Sequence, residues 1–237
     1  MDFYSQLSSY YDEIFATTPD DMAFIASQLP ATGRLLDIGC GTGNKTVLFS
    51  RPDNHVIGID LDPDMITAAR ERHAKESVFY DVADMQDIDT QFAHASLDGI
   101  LCLGNSLVHL ESLESIERFL LKCHTLLHPK GILVLQILNY DRILDNNITE
   151  LPEIDTKHTR FKRQYAWRDG SFRFMTSLHL KERGETLYSD IPLYPLRQNE
   201  LEKELMNAGF KRLQWYGDFT GGPHRDSSFV TISISRK

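Results

Sequence analysis

Apolar positions change their spacing along this chain of 237 residues, and each change marks a different kind of element. Phe3, Leu7, Tyr11 and Ile14 recur at helical spacing, with Tyr4 and Tyr10 beside them. Thr18-Pro19-Asp20-Asp21 supplies a capping hydroxyl, a first-turn proline and a reciprocal acid, which predicts a helix to about Leu29, stopped by Pro30. Short apolar runs then predict strands at Leu35 to Ile38, His55 to Ile59, Ser77 to Val82, Asp98 to Leu103 and Ile132 to Leu138. Amphipathic stretches separate them. A helix is expected to open between Asn44 and Ser50, and another to start at Asp62-Pro63 with Met65, Ile66 and Ala69 as its stripe. A longer one runs from Glu111 to Leu127 on Leu113, Ile116, Leu120 and Cys123, and His128-Pro129-Lys130-Gly131 ends it. Alternating strand and helix implies a parallel sheet covered on both faces.

The period then falls to two. Phe161, Arg163, Tyr165 and Trp167 share one face, and across an Asp169-Gly170 hairpin Phe172, Phe174, Thr176 and Leu178 share another. Glu182-Arg183-Gly184-Glu185 makes a second turn before Thr186 to Ile191, so a small antiparallel insert is expected over about residues 150–196, after strand five. Gln198 to Ala208 returns to helical spacing, closed by Gly209, and Phe210 to Phe219 with Phe229 to Ser235 read as two antiparallel strands.

Composition narrows the function classes. With 41% hydrophobic and 25% charged residues the chain reads as an ordinary soluble globular protein. A net charge of −9 argues against nucleic acid held on a broad basic face. No apolar run reaches membrane-spanning length, and Met1-Asp2-Phe3-Tyr4 lacks the basic start of a secretory leader. Cys40, Cys102 and Cys123 fall in apolar patterns without metal or disulfide spacing, so a cytoplasmic location is expected. Lys157, Arg160, Lys162, Arg163, Arg168 and Arg173 lie among aromatics, a composition that can stack and contact a single strand. The short patch and acidic total favour solvated strand faces instead, with the aromatic face roofing a site and excluding water.

The chemistry concentrates in Leu35-Leu36-Asp37-Ile38-Gly39-Cys40-Gly41-Thr42-Gly43. A buried strand runs into alternate glycines, and Asp60 ends the next strand, where it can accept hydrogen bonds from a ribose. Dinucleotide sites use G-x-G-x-x-G, whereas Asn44 stands here at the last glycine position, and Asp37 would repel a pyrophosphate but tolerate a cationic ligand. The dinucleotide fold remains the competing reading.

The string resembles motif I of the class I S-adenosylmethionine-dependent methyltransferases. That resemblance implies a doubly wound, Rossmann-like seven-stranded sheet with an antiparallel C-terminal hairpin. It also implies one domain over residues 1–237, with residues 1–32 covering the cofactor and the insert acting as a lid. The cofactor would be S-adenosyl-L-methionine, leaving S-adenosyl-L-homocysteine, and its implied contacts are Tyr11, Asp37, Gly39, Cys40, Gly41, Asp60, Leu61, Asp84, Met85 and Leu103. Asp84 with Met85 would grip the adenine, with Asp81 and Asp87 as neighbouring alternatives.

Cys102-Leu103-Gly104-Asn105-Ser106-Leu107-Val108-His109-Leu110 and Asn139-Tyr140-Asp141-Arg142-Ile143-Leu144 are similar to strings of the glycine and sarcosine N-methyltransferases. This implies that Asn105 and Ser106, with Tyr165 and Arg173 from the insert, meet a small-molecule methyl acceptor, and that His109 or Tyr140 takes or relays its proton. Leu138 stands where that group carries a carboxylate-holding arginine, which sets glycine itself apart. The expectation is methyl transfer to a small-molecule N or O acceptor by a monomer or homodimer, with no membrane partner. An RNA- or protein-directed enzyme and a non-catalytic cofactor-binding module are the alternatives.

Overall fold

The computed structural model describes residues 3–237, so Met1 and Asp2, the start of the expected 1–237 span, lie outside the described residues. Helix α1 (Phe3–Ile14) is followed by α2 (Pro19–Gln28), whose Thr18 and Asp21 form the anticipated capping box. The chain then enters β1 (Gly33–Ile38), β2 (Asn54–Asp60), α3 (Pro63–His73), β3 (Val78–Val82), the single turn α4 (Ile88–Gln91), β4 (Leu97–Cys102), α5 (Leu113–Leu126) and β5 (Leu127–Leu138). After α6 (Tyr140–Asp145) come the insert strands β6 (Glu150–Asp155), β7 (Thr159–Arg168), β8 (Ser171–Leu180) and β9 (Glu185–Leu193). The chain closes with α7 (Gln198–Asn207), β10 (Lys211–Tyr216) and β11 (Val230–Arg236).

Seven strands form the main sheet in the order β10-β11-β5-β4-β1-β2-β3. β3, β2, β1, β4 and β5 pair in parallel, and β11 runs antiparallel between β5 and β10. The order reverses between β1 and β4, so their carboxyl ends open the crevice where ligands bind in doubly wound sheets. Parallel strands covered on both faces need near-continuous apolar runs, and Leu35, Leu36, Ile100, Leu101, Leu133 and Val134 are all fully buried.

Three expectations are corrected. After the glycine turn there is only one 3-10 turn, Thr46–Phe49, because Pro52 blocks a longer helix and β2 begins at Asn54. β5 starts at Leu127, directly after α5, with a register break between the Leu97–Leu127 and Gly99–Ile132 pairs; Lys130, at φ 73°, absorbs it. In the insert the two predicted faces are one: Phe161, Arg163, Tyr165 and Trp167 stand directly across from Leu178, Thr176, Phe174 and Phe172.

That insert has four strands, β6-β7-β8-β9. Its edge strand β6 escapes the period-two reading because Pro152 interrupts it and a bulge separates Leu151 from Ile154; both features belong at a sheet edge. Asp169 and Gly170, at φ 52° and 76°, make the tight turn expected of an Asp-Gly pair. The aromatic end of the insert packs on the main core: Tyr165 stacks on Phe172 at 5.3 Å, and both approach Tyr140 edge-on at 6.4 and 6.1 Å.

α1 binds the two sheets together. Phe15, just past it, meets Phe161 of β7 at 5.7 Å, and Leu7 and Ile14 share a buried cluster with Met65, Leu178 and Leu180. The Glu13 carboxylate accepts from the His158 main-chain N–H at 3.0 Å and contacts His158 Nδ1 at 2.7 Å. Hydrogen bonds from Thr156 and His158 hold Glu13 down at about 2. A carboxylate whose folded pKa is depressed contributes stability that is present above its unfolded value and fades as the pH falls toward the folded one. Glu13→Gln is therefore expected to lower the denaturant midpoint at pH 7, with the gap to the native chain narrowing below pH 4.5; a gap that stays constant down to pH 3 would remove the assigned role.

Candidate cofactor and acceptor site

The glycine turn is fixed from below. Gly39 N and Cys40 N both donate to Ile59 O, at 2.8 and 3.0 Å, and Gly43 N donates to Cys40 O at 3.0 Å. Gly41 N donates to Asp60 Oδ2 at 2.8 Å, while Asp60 Oδ1 accepts from Asp62 N at 3.0 Å. A phosphate cradle needs outward-pointing, unengaged N–H groups. Here these four are engaged within the protein, and the side chains beneath them are acids. Each Asp60 oxygen retains acceptor capacity for a further donor.

Asp37 is buried two residues before Gly39, the turn's first φ-positive glycine, and accepts from Thr46 Oγ1 at 2.6 Å. Burial pushes its carboxyl up to about 6, against the opposing pull of Thr46 and the Lys45 charge. Burial also raises Asp60. An acidic, donor-poor floor suits a ligand with positive charge.

The walls come from four strand ends. Tyr11 lies on the turn, its ring atoms 3.2–3.3 Å from where a Cβ on Gly41 would stand, and burial beside Asp60 keeps it a phenol. Next to it Asp12 accepts the Thr42 hydroxyl and meets Arg72 at 3.4 Å and His73 at 3.2 Å, which straps α1 over the turn onto α3. Asn44 adds a bond to Phe15 O at 3.0 Å. Leu61, at the tip of β2, is 68% exposed, an apolar surface next to Asp60. At the tip of β3, Asp84 caps the Met85–Asp87 turn by accepting from Gln86 N at 2.8 Å, and Asp84 and Met85 are both half-buried. Asp81 pairs with Arg70 on an exposed strand position and Asp87 is exposed, so the geometry favours Asp84 among the three. Cys40 turns its thiol into the core, with burial pushing it up, and offers a ligand only its main chain.

At the end of β4, Leu103 is buried and its carbonyl accepts from Ser106 Oγ at 2.9 Å. Ser106 Oγ lies only 2.4 Å from where a Cβ on Gly39 would be, so the residue there must be glycine. Asn105, at φ 72°, accepts from Leu138 N at 2.9 Å and donates to Tyr140 Oη at 3.1 Å. Tyr140 is fully buried and burial raises it far above the ordinary phenol value, so it stays a neutral phenol. His109 ends the 3-10 turn Ser106–His109 and is exposed, with its pKa lowered by the surrounding protein. Tyr165 is 3% exposed, and its hydroxyl has no hydrogen-bond partner among the described residues.

Arg173 leaves the expected set. It faces the side of the insert opposite Tyr165, bonded to Asp190 at 2.8 Å, because its parity on β8 is that of Ser171 and Met175. Two other insert arginines are likewise spent within the sheet: Arg160 on Glu153 at 3.1 Å and Arg168 on Asp190 at 3.0 Å. Two residues escaped the sequence reading. Gln136 is buried in β5, its Oε1 accepting from Gly104 N at 2.7 Å and its main-chain oxygen from Asn105 N at 3.1 Å; one amide amid six apolar neighbours was the available signal. The other is Lys45, directly behind the glycine turn.

Among the described residues no cluster of metal ligands is present, and no helix is long and apolar enough to cross a membrane. A surface recess of about 480 Å³ lies elsewhere, along Arg34, His55, Ile57 and Phe79.

A Rossmann-like sheet with an antiparallel final hairpin and an acidic glycine turn defines a methyltransferase site rather than a dinucleotide one. Residues 35–131 match the family described as a methyltransferase domain. The chain is 27% identical over 216 residues to a glycine/sarcosine N-methyltransferase of Halorhodospira halochloris, covering 83% of this chain and 73% of that one. It is 28% identical over 214 residues to the enzyme of the same name from Aphanothece halophytica, covering 86% and 76%. The fold matches S-adenosylmethionine-bound CalS10, an amino pentose methyltransferase from Micromonospora echinaspora, with a TM-score of 0.71, 21% identity and coverage of 100% and 99%. The chain is a class I S-adenosylmethionine-dependent methyltransferase, and S-adenosylmethionine is its cofactor.

Asp37 gives a test of the floor. Its folded pKa lies above the unfolded 3.8, so its contribution to stability is fully present below pH 3.8 and lost as the pH rises through about 6. Asp37→Asn, which keeps an acceptor for Thr46, is expected to stabilise the cofactor-free protein at pH 7.5, by on the order of 2 kcal/mol. The gain should vanish toward pH 4, as followed by thermal melting across that range.

Proposed function

We propose that this enzyme methylates a small-molecule amine held between the ends of β4 and β5 and the aromatic face of the insert. The observation that carries the reading is the Asn105–Tyr140 pair standing under Tyr165, where burial holds both tyrosines as neutral phenols. An oxygen acceptor must lose its proton as it attacks, and Tyr140, kept protonated by burial, does not take it. An amine needs only its free base form, which solvent supplies. The likeness to enzymes named glycine/sarcosine N-methyltransferases supports the same choice. Leu138, buried at the end of β5, leaves the acceptor without the arginine that the glycine-methylating group carries, which points to an acceptor other than free glycine.

Bound S-adenosylmethionine supplies a methyl group already activated on a sulfonium. The protein's part is alignment and exclusion of water, and well-oriented reactants reach effective molarities of roughly 10⁵–10⁸ M. Asp60 holds the ribose hydroxyls, Asp84 and the Met85 main chain read the adenine, and Gly39, Gly41 and Leu103 present backbone to the amino-acid end. Leu61 and Cys40 complete the cofactor walls, and Tyr11 covers them. Asn105, Ser106 and Tyr165 orient the acceptor, Tyr140 fixes Asn105, and His109 relays the released proton outward. The whole chain works as one methyltransferase domain with residues 150–196 as its lid. The internal pairing of the insert's arginines supports a small acceptor over a nucleic acid.

Titration calorimetry with S-adenosylmethionine, S-adenosylhomocysteine and NADH, followed by mass spectrometry of an amine panel, tests the reading. Binding of the first two at micromolar affinity, about −8 kcal/mol, and a mass gain on an amine are expected. A panel in which only hydroxyl compounds gain mass would overturn the nitrogen assignment. Asp60→Asn keeps an acceptor for Gly41 N while losing charge-assisted bonds worth roughly 1.5–3 kcal/mol each. It is expected to weaken S-adenosylhomocysteine at least tenfold with melting little changed; unaltered affinity would move the ribose site elsewhere.

A further inference from the structure

Lys45 follows the glycine turn and reaches across it. Its Nζ stands 4.0 Å from where a Cβ on Gly104 would lie, and nothing else comes within 4 Å of that point. The ammonium therefore borders open space at the end of β4, between the turn and the Asn105 loop. Lys45 makes no salt bridge among the described residues, although its side chain is largely enclosed. Burial lowers its pKa and the Asp37 charge works against that fall. An enclosed ammonium without a counter-ion is costly, and such groups are found where a ligand completes them.

The other cations near the turn are engaged: Arg72 and His73 hold Asp12, and Lys75 reaches Val47 O at 3.4 Å. Asp37 lies beneath the same turn, bonded to Thr46 and out of salt-bridge range of Lys45. A negative and a positive group are thus held apart on one side of the site, the pattern that an α-amino acid zwitterion complements.

We propose that Lys45 is the anchor for the carboxylate of the cofactor's amino-acid end, acting opposite Asp37, which faces its ammonium. The assignment rests on the cofactor site described above and adds a residue to it. Lys45 also makes the site select donors and products that keep the amino-acid end.

The test compares two ligands by titration calorimetry: S-adenosylhomocysteine, and 5′-methylthioadenosine, which keeps the nucleoside and thioether but has no carboxylate. Lys45→Met is expected to weaken the first at least tenfold and to leave the second within twofold, and Lys45→Arg to retain most of the first. Melting of the cofactor-free Lys45→Met protein should match or exceed that of the native chain, since a buried charge is removed; if this variant does not fold, Lys45→Gln serves in the same comparison. Equal losses for both ligands, or an unchanged affinity for S-adenosylhomocysteine, would overturn the anchor. So would a variant that binds S-adenosylhomocysteine normally but shows a raised KM for a carboxylate-bearing amine, which would place Lys45 at the acceptor. Failure of the native chain to bind either nucleoside would instead defeat the cofactor site itself, and the anchor with it.

Discussion

The bond from Gly41 N to Asp60 Oδ2, 2.8 Å long, joins the first glycine turn to the tip of the neighbouring strand. It follows from the register of β1 and β2, in which Ile38 stands beside Ile59 and leaves Asp60 level with the turn. The same carboxylate that closes the turn keeps further acceptor capacity, so the proposed ribose recognition and the backbone geometry share one side chain. Removing it altogether would leave a turn N–H unpaired, a cost of about 1–3 kcal/mol, whereas altering only its charge separates the two roles.

A second dependence runs through β4 and β5. The Gly104–Asn105 loop has positive φ at both residues and is held by Gln136 and Leu138 of the adjacent strand. Gln136 is an expensive residue to place within an apolar parallel strand, and its amide is compensated by Gly104 N. The loop is consequently rigid where Asn105 meets Tyr140, and the insert packs its aromatics onto that fixed point. Polar residues set the geometry and aromatic ones enclose it.

Much of this was legible in the chain. The five parallel strands and the Thr18, Asp62 and Asp169-Gly170 punctuation appear where periodicity and turn chemistry place them, since these signals are local. β6 was not legible, because Pro152 and a bulge erase its alternation and only its pairing with β7 makes it a strand. The helix expected after Gly43 yields to a short turn because the return to β2 is too brief. Among the candidate residues, Asp60, Asp84 and Asn105 could be placed at strand ends, whereas Arg173 was misplaced: its parity on β8 sets it with Ser171, Met175 and Ser177, opposite the apolar face of Phe172 and Phe174. Lys45 was hidden for the opposite reason, since a lysine behind a turn reads as solvent-facing until the Gly104 loop is seen beside it.

Helix α1 touches the glycine turn through Asp12, α3 through Arg72 and His73, and the insert through Glu13 and Phe15's contact with Phe161. These contacts lie on one short rod of 12 residues and the residue just past it, so they move together. A displacement of that rod would loosen the glycine turn, α3 and the insert in the same event. On the proposed site, the two halves of the reaction would share a single door, and the time a nucleoside product stays behind it would be tied to how long the acceptor product does.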